Sequence, residues 1–380
     1  MEWVVLVRYS EVAVKGRATR IRMEKLLVSG IREMLEREGL KGRPVRVEGR
    51  IIVEEPSNPG DVAGVLARVM GVKSASPAAR ISFRSLEDLV EEATRFFTPR
   101  ARGKVFRVRA RRAGSHSFTS KDVEKMLGAR LLEEGAARVD LESPEYTAYI
   151  EVRDSQAYLY DKVHSGPGGL PIGSEDPVLV LYSGGFDSTV AAWRLLRRGS
   201  PVHLLYYDMG EPRALEIALE AARLLARRYA YNYRPRLYIA AFAGIAGIVR
   251  RQVKPGYQLL VLRRLMMEKA AEIALGEGIE AIATGESIGQ VASQTIRNLY
   301  LISRMIDAAI LRPLAGSDKD EIMEEARRIG VYDVVNRQIE VCGRAPTPTP
   351  RGDPGTFEEE YDKVRDLPAP QVRAIDLLGS

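Results

Sequence analysis

Cys342 is the only cysteine in a chain of 380 residues, and no apolar run approaches the roughly 18 residues that a membrane helix needs. A single thiol excludes an intrachain disulfide. It equally excludes any zinc or iron–sulfur site that draws three or four cysteines from one chain. A signal peptide is missing too, because Met1–Arg8 carries charge on both sides of a short alternating run and reads as a strand. A cytoplasmic protein is the expectation. There is no repeat array and no long low-complexity tract, so neither a solenoid nor a disordered chain is indicated.

The composition is that of a globular protein, with 45% hydrophobic and 28% charged residues. Its length exceeds one ordinary domain of about 100 to 200 residues and predicts two or three. The net charge of +6 is unevenly placed, with 28 Lys and Arg against 21 Asp and Glu in residues 1–150 and 29 against 30 in the rest. A basic excess in one half suits either a polyanion-binding face or a solubilising surface, and charge alone does not separate them.

Along the chain, residues 2–9 alternate as a strand and Arg20–Glu38 carries apolar residues at helical spacing, stopped by Gly39. Val45–Glu54 reads as one or two strands and Asp61–Met70 as a helix capped by Asp61. A second α+β unit follows, with helices over Leu86–Phe97 and Ser120–Glu134 and strands over Lys104–Ala110, Tyr146–Val152 and Ala157–Lys162. The glycine- and proline-rich stretch at 166–175 is the linker between residues 76–165 and a third region, 176–350. There the pattern becomes strand then helix, repeated: Pro177–Tyr182, Val202–Tyr207, Leu237–Ala241 and Ala281–Thr284 alternate with helices from Ser188, Pro212 and Leu259. Such alternation predicts an α/β fold with a C-terminal doubly wound parallel sheet, preceded by two small α+β domains (1–75 and 76–165). Residues 351–380 read as an irregular tail.

The chemistry concentrates at Ser183-Gly184-Gly185-Phe186-Asp187-Ser188, which turns directly from the apolar strand Val178–Tyr182 into a helix. Two glycines let the backbone approach phosphate oxygens, the serines add hydroxyls, and the open amides of a helix N-terminus favour an anion. Neither the Walker spacing nor the Gly-x-Gly-x-x-Gly dinucleotide pattern is present. In an open α/β sheet the nucleotide lies beyond the strands' carboxyl ends, which nominates Leu181, Tyr182, Tyr206 and Tyr207. At least one of the last two is core if side chains alternate, so backbone contacts are the safer expectation. The loop resembles that of the PP-loop family, in which it grips the pyrophosphate leaving group of ATP, so that the substrate is adenylated. Asp187 would then assist Mg2+ or the loop geometry.

Further residues make the resemblance narrower. Thr284–Thr295, with Arg263-Arg264 upstream and Leu311-Arg312-Pro313-Leu314 downstream, looks like the tRNA 4-thiouridine synthetases, or tRNA sulfurtransferases. Arg8–Glu11 with Lys15-Gly16 resembles the start of that family, and Phe106–Arg112 with His116–Ser120 resembles its THUMP domain. The resemblance spans residues 3–350 and implies a ferredoxin-like domain, a THUMP RNA-binding domain and a PP-loop ATP pyrophosphatase domain. It also implies ATP contacts from Arg263, Gly285 and Gln294, a triphosphate-holding Lys319, a catalytic Cys342 and a homodimer. On residue chemistry alone Arg263, Gln294 and Lys319 also fit ordinary surface positions, and a lone cysteine also fits inert packing. Arg107, Arg109, Arg111 and Arg112 alternate with Phe106 and Val108; on a strand, Arg107, Arg109 and Arg111 share a face, which fits a bound polyanion or a solvated edge, and the THUMP resemblance implies tRNA.

The implied reaction is attack of a tRNA uridine O4 (position eight in the family) on the α-phosphate of ATP. Pyrophosphate leaves, and sulfur then attacks C4 and expels AMP. Many members carry a C-terminal rhodanese domain, whereas this sequence ends about 40 residues after Cys342 without a further thiol. An external sulfur donor is therefore expected: a persulfide carrier, a desulfurase or free sulfide. Another PP-loop reaction, such as 2-thiolation, and an RNA-binding module with a degenerate nucleotide site are the alternatives.

Overall fold

The computed structural model describes residues 1–339 and 347–379, so Cys342 lies outside the described residues. The chain divides into two compact units, Met1–Gly169 and Leu170–Ser380. In the first, strands β1 (Glu2–Arg8), β2 (Arg43–Val47), β3 (Arg50–Glu54), β4 (Ser74–Ser82), β5 (Val105–Ala113), β6 (Arg138–Val139), β7 (Tyr146–Arg153) and β8 (Gln156–Tyr160) form one sheet in the order β2-β3-β1-β4-β8-β7-β5-β6. The short β9 (His164–Ser165) pairs with β4. The sheet therefore runs without a break through the β4–β8 pair, joining the stretches read above as two small α+β domains.

Helices α1 (Arg17–Arg37), α2 (Pro59–Leu66), α3 (Leu86–Ala101) and α4 (Ser120–Glu133) cover the apolar side of this unit. The cap of α2 is Asn58, not Asp61: its side chain accepts the amides of Gly60 and Asp61, because Pro59 at the first helical position places the cap one residue earlier. That helix also stops at Leu66, short of the expected Met70. α3 continues beyond the expected Phe97 and contains Pro99 in its last turn.

The opposite face of the sheet has its own small cluster, Val4, Leu6, Ile52, Ala78, Tyr158 and Tyr160. Polar residues surround it. Glu151 is 2% exposed and meets Arg8, Arg50 and Arg153 at 3.4, 2.8 and 2.9 Å. Burial opposes its ionisation, but Arg50, Arg8 and Arg153 outweigh that and hold its carboxyl below the ordinary value.

The second unit holds β10 (Val178–Leu181), β11 (Val202–Asp208), β12 (Arg236–Ala241), β13 (Ala281–Ala283), β14 (Ala309–Leu311) and β15 (Val372–Asp376), in the order β14-β13-β10-β11-β12-β15. The first five are parallel and β15 is antiparallel, as a doubly wound sheet requires of all but an edge strand. Its helices are α5 (Phe186–Arg197), α6 (Pro212–Tyr229), α7 (Ala243–Gln252), α8 (Gln258–Gly276), α9 (Ile296–Ser303), α10 (Lys319–Arg328), α11 (Tyr332–Val335) and α12 (Pro354–Asp362).

The C-terminal stretch is not the irregular tail expected from its prolines. Phe357 of α12 is fully buried in the main cluster, and β15 ladders onto β12 from Arg236↔Asp376 to Ala240↔Val372. The 166–175 linker is also tied down at both ends. The amides of Gly166 and Gly168 bond to carbonyls of Lys73 and Val72, while those of Leu170 and Gly173 bond to Arg197 and Gly199.

Removing the Glu151 charge leaves three arginines on the sheet without their common counter-ion. The Glu151→Gln variant should lose about 3–5 kcal/mol of first-unit stability, read from the denaturant midpoint. Because folding lowers this carboxyl's pKa, the wild type keeps the contribution above the unfolded value and loses it as pH falls through the lower, folded one.

Candidate active site

The switch point of the second sheet lies at β10, whose successor β11 lies on one side and the fourth parallel strand β13 on the other. From the end of β10 the chain makes the Ser183–Ser188 loop and enters α5. Gly184 has φ +79°, and a Cβ there would sit 2.5 Å from the Cα of Ala218 in α6, so both conformation and packing demand glycine. The loop is organised by its own hydroxyls. The Ser183 amide donates to Ser188 Oγ at 3.2 Å, the two Oγ atoms lie 3.1 Å apart, and the Gly185 amide donates to Ser183 Oγ at 3.3 Å. Gly185 occupies the cap position of α5 without a side chain, which leaves the first turn open to an outside anion.

Gly285, two residues after β13, presses on the same turn: a Cβ there would be 2.6 Å from the carbonyl carbon of Asp187 and 2.7 Å from the amide nitrogen of Ser188. The ends of β10 and β13 thus meet at one helix N-terminus. Asp187 in that turn accepts a two-pronged bond from Lys319 Nζ at 2.9 and 3.0 Å. Lys319 opens α10, whose cap Asp318 accepts the Glu321 amide. Both side chains remain partly solvent-exposed. The helix α10 is braced against α5 by Arg194, which bonds Glu325, the Pro313 carbonyl and Ser317 Oγ at 2.9 Å each.

Beyond Gly285, Glu286 is buried and bonds Arg263 at 3.1 Å, and Arg312 and Thr284 at 2.9 Å each. Arg263 also donates to Ser293 Oγ at 3.2 Å. Gln294 is 8% exposed, so it is not a helix-surface residue, and its Oε1 is enclosed without a partner. Gln338, just before the undescribed stretch, donates to the Ser183 carbonyl.

The tyrosine side chains are spent within the fold. Tyr182 accepts from Thr189, and burial pushes its hydroxyl pKa up; Tyr207, raised by burial as well, donates to the Met266 carbonyl. Tyr206 is 4% exposed and Leu181 is half-buried, so the strand ends offer a ligand chiefly backbone. Sequence reasoning included Glu286 and Arg312 in the resembling segments without giving either a role, and did not single out Arg194 or Gln338. Apart from the local contacts Glu286–Thr284 and Gln338–Ile339, their side-chain partners are more than twenty residues away, which no local pattern reveals.

In the first unit, the parallel β5–β7 register sets Arg107, Arg109 and Arg111 opposite Thr147, Tyr149 and Glu151, on the face away from α3 and α4. Arg107 bonds Thr147 Oγ1 and the Leu141 carbonyl. Arg112 lies on the alternate side and bonds the Gly114 carbonyl and His116 Nδ1. Arg109 and Arg111 stand exposed, without an ion pair among the described residues. Tyr149 stacks on Tyr160 at 5.1 Å, and the Arg8 guanidinium lies 4.5 Å over the Tyr160 ring. Cys342, the remaining residue singled out from sequence, lies outside the described residues.

A doubly wound sheet with an anion-ready glycine loop at its switch point, and a lysine at that loop, defines a PP-loop α/β unit. The chain belongs to the tRNA sulfurtransferase (4-thiouridine synthetase) family. Residues 173–365 match the model described as Thiamine biosynthesis protein (ThiI), residues 83–161 the THUMP domain and residues 4–76 the ThiI ferredoxin-like domain. The chain is 57% identical over 379 residues to a probable tRNA sulfurtransferase of Aeropyrum pernix, covering 99% of this chain and 96% of that one. It is 33% identical over 382 residues to the tRNA sulfurtransferase of Escherichia coli, with 98% and 79% covered. Among solved structures it resembles a 4-thiouridine synthetase–RNA complex with bound ATP, at 29% identity and a TM-score of 0.80, covering 99% of this chain and 100% of that one.

Because the Cβ of an alanine at 285 would collide with backbone rather than with a movable side chain, Gly285→Ala should shift the α5 turn. A cost of about 1–3 kcal/mol in second-unit stability is expected from such overpacking, read from the thermal or denaturant midpoint.

Proposed function

We propose that this protein is an ATP-dependent tRNA 4-thiouridine synthetase that adenylates a tRNA uridine at O4, at position eight, and then transfers sulfur to C4. The observation that carries the reading is the convergence of Gly184, Gly285, Asp187 and Lys319 on one helix N-terminus at the switch point. A site that holds pyrophosphate as a leaving group needs amides and a cation around the departing charge rather than a base for γ-phosphoryl transfer.

In this reading the amides and hydroxyls of residues 183–188 and the Lys319 ammonium bind the β and γ phosphates of ATP. Lys319 gives up its bond to Asp187 to do so. The donor set suits Mg2+: one partly exposed carboxylate, Asp187, beside a phosphate cradle is what that ion takes, since it completes its shell with phosphate oxygens and water. Asp187 would hold the ion, which supplies charge neutralisation on the phosphates. Arg263, Gly285 and Gln294 contact the nucleoside and α-phosphate side, with backbone from Leu181, Tyr182, Tyr206 and Tyr207.

Uridine O4 attacks the α-phosphorus, the bond to pyrophosphate breaks, and a poor leaving oxygen becomes part of AMP. A sulfur donor then forms the bond to C4 and AMP departs; with a persulfide donor the Cys342 thiolate attacks the donor's inner sulfur, the S–S bond breaks towards the thiouridine, and the resulting Cys342–donor disulfide is reduced by an external thiol. Cys342 is the chain's one thiol for that transfer, and the sulfur comes from an external persulfide carrier, desulfurase or sulfide. Arg107, Arg109, Arg111 and Arg112 bind tRNA phosphates through the first unit, within a THUMP region 76–165 that follows a ferredoxin-like region 1–75, and the 166–175 linker leads to the catalytic region 176–350. A cytoplasmic homodimer completes the proposal.

Incubation with unmodified tRNA, ATP, magnesium and sulfide should give pyrophosphate, AMP and the 4-thiouridine absorbance. Absence of pyrophosphate would overturn the enzyme reading, and a thiouridine at carbon 2 would select the other thiolase reaction. Asp187→Ala should abolish pyrophosphate release while keeping tRNA retention nearly intact, and Cys342→Ala should stop thiolation by persulfide donors.

If Arg109 and Arg111 touch phosphates, the double change to Met weakens tRNA retention. It also lowers the slope of log K against log salt by about 1 to 2 in magnitude. An unchanged slope removes this face from RNA binding.

A further inference from the structure

Glu286 uses both carboxylate oxygens on residues drawn from three separate places: Thr284 two positions back, Arg263 in α8 and Arg312 just after β14. It sits directly after Gly285, whose backbone is fitted against the first turn of α5. The carboxylate is therefore tied, through one peptide bond, to the helix N-terminus that carries Asp187.

An interior carboxylate with two guanidiniums costs considerable desolvation and is seldom the cheapest way to stabilise a fold. Here one acid faces two cations, so the group keeps an excess positive charge. It keeps unused donors as well: Arg263 and Arg312 stay partly exposed, and Arg312 Nη2 is enclosed without a partner. The ion pair of Arg263 to Glu286 Oε1 and its hydrogen bond to Ser293 Oγ both come through Nη1, which leaves the other edge of its planar fork directed elsewhere.

The geometry points to Glu286 as a positioning residue that orients the Arg263 guanidinium for ATP, with Arg312 held by the other oxygen as the second cation of the same clamp. This rests on the ATP-binding reading above. Without the carboxylate, Arg263 regains its rotamer freedom and repels Arg312, so its hydrogen bonds to nucleotide must be formed from a disordered side chain. The loss falls on binding rather than on the chemistry at the α-phosphorus.

A double-mutant cycle tests it, with ATP affinity measured by equilibrium dialysis and KM for ATP measured in the pyrophosphate-release assay. Glu286→Gln should weaken ATP binding about tenfold, the order expected for one charge-assisted hydrogen bond, and raise KM while kcat changes little. Arg263→Met should cost as much, and E286Q with R263M no more than R263M alone, because the carboxylate acts through the guanidinium. Additive losses, an unchanged affinity in E286Q, or a fall in kcat at constant KM would each overturn the assignment. Should E286Q not fold, Glu286→Asp replaces it in the cycle: it keeps the charge but is one methylene too short to meet both arginines, and the same non-additivity is required. Dialysis needs no RNA chemistry. A wild type that binds ATP but makes no thiouridine would therefore sink the thiolation reading and leave the role of Glu286 standing or falling on the cycle.

Discussion

The close approach of the β13 end to the first turn of α5 is the constraint on which the site depends. Gly285 admits no side chain there, and Gly184 admits none against α6. Together they set the loop's amides, the Asp187 carboxylate and the Glu286 carboxylate within one small region of the sheet's carboxyl edge. Were either contact loosened, Lys319 and Asp187 would still belong to neighbouring helices, but the phosphate cradle would no longer be registered against them.

Charge is handled differently in the two units. In the second, three acids around the loop each have a cation: Asp187 has Lys319, Glu286 has Arg263 and Arg312, and Glu325 has Arg194. In the first unit, one buried acid, Glu151, gathers three arginines, while Arg109 and Arg111 remain exposed beside a stacked tyrosine pair. On that face the exposed charges stand beside a tyrosine pair of which Tyr160 is buried and Tyr149 half-buried.

Much was legible along the chain because its signals are local. The apolar strand running into Ser-Gly-Gly predicts a phosphate loop from five or six neighbours, and alternation on β5 predicts that Arg107, Arg109 and Arg111 share a face. The failures were local propensities overruled by distant partners. α7 escaped notice because its two glycines weaken the helical signal, and β15 because an edge strand exposed on both faces has no buried alternation to display. Prolines suggested an irregular tail, yet Phe357 found a place in the core and the last residues found an open strand edge.

By itself the sequence determined the chemistry available: one thiol, one glycine loop, a lysine at a helix start and a basic first half. These follow from residue identity and short-range spacing, which survive any fold. Only the tertiary structure decided which charges meet. The Lys319–Asp187 pair spans 132 residues and the Arg312–Glu286 pair 26, and both exist because a parallel sheet brings the carboxyl ends of sequence-distant strands, and the helices that follow them, to a common edge.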